Sequence, residues 1–507
     1  MVKKLNKLNT PEYISAVSAL GFGLIVHLFG LVNVLHNSDD IWIQPQGYGT
    51  GLRSGRWFLT FLGDLVKNLL GGYNISWIKG LLFMILLAIS AGFVVSALGI
   101  RSRKSAALIG AAFITFPTVT ATMFYPYTTT YYGIAVLLSV LAAWILPRHK
   151  LGLLFSAVFS AMALGIYQAY LPMTVSLLVL MLLRQTLRGE EPVSRLFLRG
   201  VYYCSAIVLG LLLYYAVLNL CLSIEGTTLN TYQGIDNMGK LSLAQLPALV
   251  LEAFLSFFTL ASTDYCSLSQ IPLLQIAYLL VLVLSAVMIV IALVTGKRKL
   301  SHILFCAFLC AAFPVAVNLI VIMCPDSRIY TLMVYSFVFV LAAPLVILET
   351  VDPDSLRKIF AKTAAVVLIV AICANSYLAN VNYTALYFGN RQAENFFSGL
   401  VTQVRMTEGF DSEKEWAFLG RANDPLLTNP WDNVRLYEGN TSVYKLVTDY
   451  SWAVWIKHYI GYTVPTADAK TLEALAANEA VQAMPCWPDE GSIRVIGDNV
   501  VIKFQEP

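Results

Sequence analysis

Apolar residues dominate the chain in long unbroken blocks. A helix needs about 20 mostly apolar residues to cross a bilayer. By that measure about eleven stretches qualify, near 13–35, 76–99, 106–124, 131–147, 151–168, 170–184, 200–222, 272–295, 303–323, 331–349 and 360–380. The stretch 131–147 and the pair 151–168 and 170–184 are short, and Pro172 sits near the break between the last two. Two further segments are amphipathic instead. Trp57–Leu70 spaces Asp64, Lys67 and Asn68 among apolar residues at helical intervals, and 248–260 carries only Glu252. Both are expected to lie on the outer membrane surface. After residue 381 the pattern changes, and Asp, Glu, Asn and Pro occur throughout. There Lys470 to Ala483 reads as a helix, and Ser492 to Phe504 as two strands turned at Gly497–Asp498.

Composition agrees with the blocks. Hydrophobic residues make up 58% of the 507 residues and charged ones 13%. Soluble domains carry about 25% charge. A set of soluble domains is excluded, and so is a charge-rich disordered or nucleic-acid-binding chain. The expected class is an all-α polytopic membrane protein.

The position of the scarce charge gives an orientation. Cytoplasmic loops are rich in Lys and Arg. Lys3, Lys4 and Lys7 precede the first block, which puts the N-terminus inside. Counted alternately, the inner loops then hold Arg101, Arg103 and Lys104; Arg148 and Lys150; Arg184, Arg188, Arg195 and Arg199; Lys297, Arg298 and Lys299; and Arg357, Lys358 and Lys362. The short outer loops near 125–130 and 168–171 have no charge. The C-terminal segment is therefore expected outside. The first block exceeds a signal-peptide core and is expected to be retained. Two domains are expected: a membrane body over 1–380 and a small extracytoplasmic α+β domain over 381–507.

Soluble-enzyme motifs are absent. The chain has no phosphate-binding G-x-x-x-x-G-K-[ST], no G-x-G-x-x-G after a strand, no H-E-x-x-H and no C-x-x-C. His27, His36, His149, His302 and His458 are scattered without ligand spacing. The eight Cys fix no framework, and a Cys266–Cys324 disulfide stays open.

Candidate chemistry lies in the outer segments. Asn37-Ser-Asp-Asp40 sits at the mouth of the first block. Asp39 or Asp40 there can accept a proton from a hydroxyl. Equally, Asn37, Ser38 or Asp39 can cap a following helix. Arg53 and Arg56 lie in Gly51-Leu-Arg-Ser-Gly-Arg-Trp57. Arginine forks match phosphate oxygens, whereas outer arginines also snorkel to headgroups. In Cys324-Pro-Asp-Ser-Arg-Ile-Tyr330, Asp326 and Arg328 are held at the surface, where Arg328 can meet a lipid phosphate or pair with Asp326. Tyr125, Tyr127, Tyr167, Gln168 and Asp264 are sugar-binding candidates. Tyrosines also form belts at bilayer interfaces, but an amide at membrane depth such as Gln168 needs a partner. Almost no charge falls at mid-membrane, where coupled transporters need it.

Several of these pieces together resemble a known family. Ser38-Asp-Asp40, Gly55-Arg-Trp57, Tyr125-Pro-Tyr127, Tyr167-Gln-Ala-Tyr170 and Pro325-Asp-Ser-Arg-Ile-Tyr330 fall in order on successive outer segments. They resemble the bacterial serotype-converting O-antigen glucosyltransferases of the GT-C superfamily, over roughly residues 10–380 by the same span count. The tail after 381 brings no such motif.

The resemblance implies a GT-C-like fold in the bacterial cytoplasmic membrane, working on its extracytoplasmic face. It implies a polyprenyl-phosphate-linked sugar, glucose, as donor and a cell-surface glycan as acceptor. Asp39 or Asp40 would be the base of an inverting displacement. Arg53, Arg56 or Arg328 would hold the leaving phosphate, and Tyr330 with Asp326 would contact substrate. Some members of the superfamily place a divalent metal, Mg or Mn, at the phosphate; the second carboxylate permits one and nothing in the sequence requires it. Two other readings stay open, a lipid-linked-sugar flippase or polysaccharide transporter, and a membrane-anchored envelope binding protein.

Overall fold

The computed structural model describes residues 9–231, 244–259, 266, 268, 271–325, 328–351, 354–422, 437, 439, 446, 447 and 450–505. Asp264 and Asp326 lie outside these residues, as do Lys3, Lys4 and Lys7. The chain is mostly helical and divides into two compact units. The first comprises Met1–Val32 and Gln46–Asn380, the second Asn33–Pro45 and Val381–Pro507.

Among the described residues, nine helices are long and apolar enough to cross a membrane. Gly152–Ile166 and Tyr335–Leu348 are shorter and apolar. Every apolar block in the sequence falls on one of these helices. Phe116, extended ahead of Pro117, interrupts one of them by separating Arg103–Thr115 from Pro117–Met123. Trp57–Leu70 is a helix over the residues whose spacing predicts it.

Small residues let the first unit's helices pack closely. A Cβ on Gly110 would stand 2.1 Å from the Ser15 carbonyl oxygen, so Pro11–Val32 and Arg103–Thr115 meet backbone to backbone. The basic loops are tied together at helix C-termini, where cations satisfy the last carbonyls. Arg184 donates to Gly99 O at 2.9 Å and Arg148 to Ser96 O at 2.8 Å. Arg298 donates to Leu187 O at 2.9 Å, and Arg199 grips Glu191 through two 2.9 Å bonds.

The second unit is built on a three-stranded sheet and the far part of a long helix. That helix, Asp354–Met406, does not stop at 380 as the hydropathy predicts. Its apolar stripe continues through Leu386, Ala393, Phe397, Leu400 and Val404, all buried. Strands β1 (Glu415–Leu419), β2 (Ile493–Ile496) and β3 (Asn499–Lys503) take the order β1-β3-β2. The β2–β3 hairpin turns at Gly497–Asp498, as the sequence predicts, and β1 runs parallel to β3. Alternation along the strands splits their side chains between two faces. Trp416, Val500 and Ile502 pack with Phe397, Leu400 and Trp455, while Ala417, Leu419 and Val501 pack with Leu475, Val481 and Met484. The helix predicted over 470–483 is two pieces, Ala469–Ala476 and Glu479–Gln482. Asn478 caps the second, since its side chain bonds the Ala480 amide at 2.9 Å.

Candidate functional site

In the second unit the acidic doublet sits on a short helix, Ser38–Ile43. Asn37 is its N-cap, and its side chain accepts the Asp40 amide at 2.8 Å. The capping reading of this motif therefore holds, and it places both carboxylates in the first turn, where the helix dipole favours negative charge. Ile41 anchors the helix in the core with Phe397, Trp416 and Trp455.

The two carboxylates have different surroundings. Asp40 is fully buried, and its Oδ2 meets His36 Nδ1. Its Oδ1 is sealed from solvent and receives no hydrogen bond among the described residues. His36 is itself held by Asn390, whose side chain bonds both the His36 amide and its carbonyl at 2.9 Å. The ring of Tyr459 meets His36 edge-on at 5.9 Å. Burial, and then the Asp40 charge, push the Tyr459 phenol above its ordinary pKa. Asp39 is exposed and accepts the Tyr450 hydroxyl on Oδ1.

Among the described residues no three His, Cys, Asp or Glu side chains gather into a ligand set for a metal ion. In the doublet, Asp40 turns inward to His36 while Asp39 is exposed. The doublet thus offers an ion one exposed carboxylate, Asp39.

In the first unit, Leu52–Ser54 forms a single 3₁₀ turn closed by Gly55 at φ 73°. L-residues with a Cβ pay about 1–2 kcal/mol for that conformation. A Cβ here would also stand 2.6 Å from the Tyr214 hydroxyl and 2.7 Å from Gln168 Nε2. Those two groups fix the turn from beneath. Gln168 Nε2 donates to Ser54 O at 3.0 Å and to the Tyr214 hydroxyl at 3.1 Å, and that hydroxyl donates to Gly55 O at 3.0 Å. Asn230 closes the turn from the other side, bonding Arg53 O at 2.9 Å and Ser54 Oγ at 3.2 Å.

The turn delivers Arg56 into a nest of phenols. Its Nη1 donates to the Tyr132 hydroxyl at 3.3 Å, and its Cζ lies 4.8 Å from the centroid of Tyr167. Tyr132 and Tyr167 stack at 4.7 Å, and Tyr170 meets both edge-on. Arg56 Nε is sealed from solvent and has no hydrogen-bond partner among the described residues. Burial alone would weaken the guanidinium's hold on its proton, but the oxygens of Tyr132, Tyr167, Tyr127 and Tyr214 outweigh it and raise the pKa.

The remaining candidates are dispersed. Arg53 and Arg328 are exposed, and Tyr330 is half-buried. Tyr125 and Tyr127 meet edge to face at 6.2 Å. The Tyr127 carbonyl accepts Lys79 Nζ at 3.1 Å, and Lys79 also bonds Asn74. Sequence reasoning did not find His36, Tyr450, Tyr459 or Tyr214 as site residues. His36 does carry a signal, standing four residues before Asp40. Tyr214 has none, because it lies in an apolar block and reads as core.

No curated protein and no solved structure matches the chain. The model of the family Glucosyl transferase GtrII does match, from residue 28 to residue 341, more than half the chain, and the chain belongs to that family.

Proposed function

We propose that this membrane glycosyltransferase moves glucose from a polyprenyl-phosphate donor to a cell-surface glycan, on the extracytoplasmic face of a bacterial cytoplasmic membrane. The observation that carries the proposal is Arg56. Its guanidinium is faced by phenols, its Nε is sealed without a partner, and no carboxylate pairs with it among the described residues. A partly buried cation without a counter-ion suits a phosphate, whose oxygens accept several N–H bonds in a fork. Fixed positive charge such as that of Arg56 stabilises a bound phosphate anion.

Asp39 is the better base of the doublet, because it is exposed while Asp40 is fully buried. An acceptor hydroxyl oxygen attacks the anomeric carbon and its proton goes to Asp39. The bond from that carbon to the phosphate oxygen breaks, and the electron pair leaves with the lipid phosphate. The anomeric centre inverts. Asp40, buried against His36, positions the helix that carries Asp39. The joined basic loops of the first unit support an inner face there, with the polar aromatic loops outside, an N-terminus inside and about eleven spans.

The test uses the full chain in lipid nanodiscs with polyprenyl-phosphate glucose and an acceptor glycan. Arg56→Gln is expected to raise donor KM about 10–100-fold, the loss of one or two charge-assisted bonds. Asp39→Asn is expected to lower kcat by 10²-fold or more, on the order of a general-base contribution. Normal donor KM in Arg56→Gln would refute the phosphate assignment, and normal kcat in Asp39→Asn the base.

A further inference from the structure

The helix Ser38–Ile43 has a second face. Asp40 and Ile41 point into the second unit, both with no exposed surface. Asp39 and Trp42 do not. Trp42 is 55% exposed and Tyr450 is 48% exposed. Their rings meet edge to face, with centroids 5.7 Å apart and planes at 87°. The Tyr450 hydroxyl donates to Asp39. Two large aromatic rings thus form an open corner with a carboxylate at its edge.

Tryptophan is highly buried on average, so a half-exposed indole packed beside a second exposed ring is a place for a ligand to stack. The surroundings specify its chemistry. A pyranose offers an apolar face of C–H groups to an aromatic ring and hydroxyl donors at its rim. A carboxylate accepts such hydroxyls strongly. Lipid is the other occupant that exposed aromatic rings invite. Here the carboxylate decides against it, since it repels the phosphates of anionic headgroups. The helix that carries Trp42 and Asp39 is firmly held, since Asn37 caps it and Ile41 pins it.

We propose that Trp42 and Tyr450, with Asp39, form the subsite that holds a pyranose ring of the acceptor glycan. The proposal rests on Asp39 as the base, and it names the residues that bring the acceptor hydroxyl to it.

The experiment measures acceptor and donor kinetics separately for the full chain in nanodiscs. The acceptor probe is the repeat-unit oligosaccharide released by mild acid from the host's surface polysaccharide. Trp42→Ala is expected to raise acceptor KM about tenfold, equivalent to about 1.4 kcal/mol. Donor KM should stay unchanged and kcat should change far less. Trp42→Phe, which keeps an aromatic face, should recover most of the loss, and Tyr450→Ala should behave like Trp42→Ala. Unchanged acceptor KM in a folded Trp42→Ala protein would overturn the subsite. So would quenching by brominated lipid that is smaller in Trp42→Phe than in the unaltered chain, because the ring would then sit in the bilayer. Full kcat in Asp39→Asn would instead defeat the base assignment, while a raised acceptor KM in Trp42→Ala would still support the subsite.

Discussion

Gly55→Ala is the sharpest single perturbation of the arginine turn. Gly55 holds φ at 73°, and an alanine there costs about 1–2 kcal/mol in backbone strain. The new methyl would also overlap the Tyr214 hydroxyl at 2.6 Å and Gln168 Nε2 at 2.7 Å. Neither atom is the loose end of an idle chain. The Tyr214 hydroxyl donates to Gly55 O, and Gln168 Nε2 donates to Ser54 O and to that hydroxyl. Displacing two of these bonds costs about 0.5–1.5 kcal/mol each. The expected total is about 2–5 kcal/mol, concentrated at the turn that presents Arg56. Denaturation of the purified chain in detergent should show the lowered stability, and donor KM should rise with it. A cycle with Tyr214→Phe separates the two causes. Removing the hydroxyl relieves the closest overlap, so Gly55→Ala should cost less in that background, leaving the backbone strain and the overlap with Gln168 Nε2. Wild-type stability and donor KM in Gly55→Ala would refute the reasoning, as would a cost undiminished by Tyr214→Phe.

Other outcomes follow from the same contacts. Tyr214→Phe alone should lower stability by about 1–3 kcal/mol, because Gly55 O and one Gln168 N–H lose their shared partner in a buried place; unfolding midpoints check this. Asn37→Ala should cost about 0.5–2 kcal/mol and reduce turnover more than Asn37→Ser, since it uncaps the helix that carries Asp39. Alkaline stability should depend on Tyr459. Above about pH 10 the unfolded chain loses this phenol's proton while the folded chain keeps it, so stability falls as pH rises, and Tyr459→Phe should flatten the fall in an unfolding series from pH 9 to 12.

Much of the fold is legible because hydropathy is a local property. The long apolar helices of the first unit each show in the sequence as an apolar block. The helix Trp57–Leu70 shows in its polar spacing, and the β2–β3 hairpin in its Gly-Asp turn. Strand β1 was not legible, since Glu415–Leu419 is too short to alternate clearly and pairs in parallel with residues more than 80 positions away. The helix beyond 380 was hidden for another reason. Asn382 and Asn390 interrupt its hydropathy, but both are buried and both bond backbone elsewhere in the second unit. An asparagine with a built-in partner reads in sequence as a break.

The sequence by itself determined the solvent this protein lives in and the segments that carry its polar equipment. Lipid excludes unpaired charge, so the scarcity and sorting of Lys, Arg, Asp and Glu already bound the answer. Tertiary structure alone decided what each polar group faces. It turned Asp40 inward to His36 and left Asp39 exposed, although the two are neighbours in the chain. It also brought Tyr132, Tyr167 and Tyr214, drawn from three different helical regions, around Arg56. Side-chain identity states what a residue can bond, but only packing across distant segments selects which partner it gets and which it is denied.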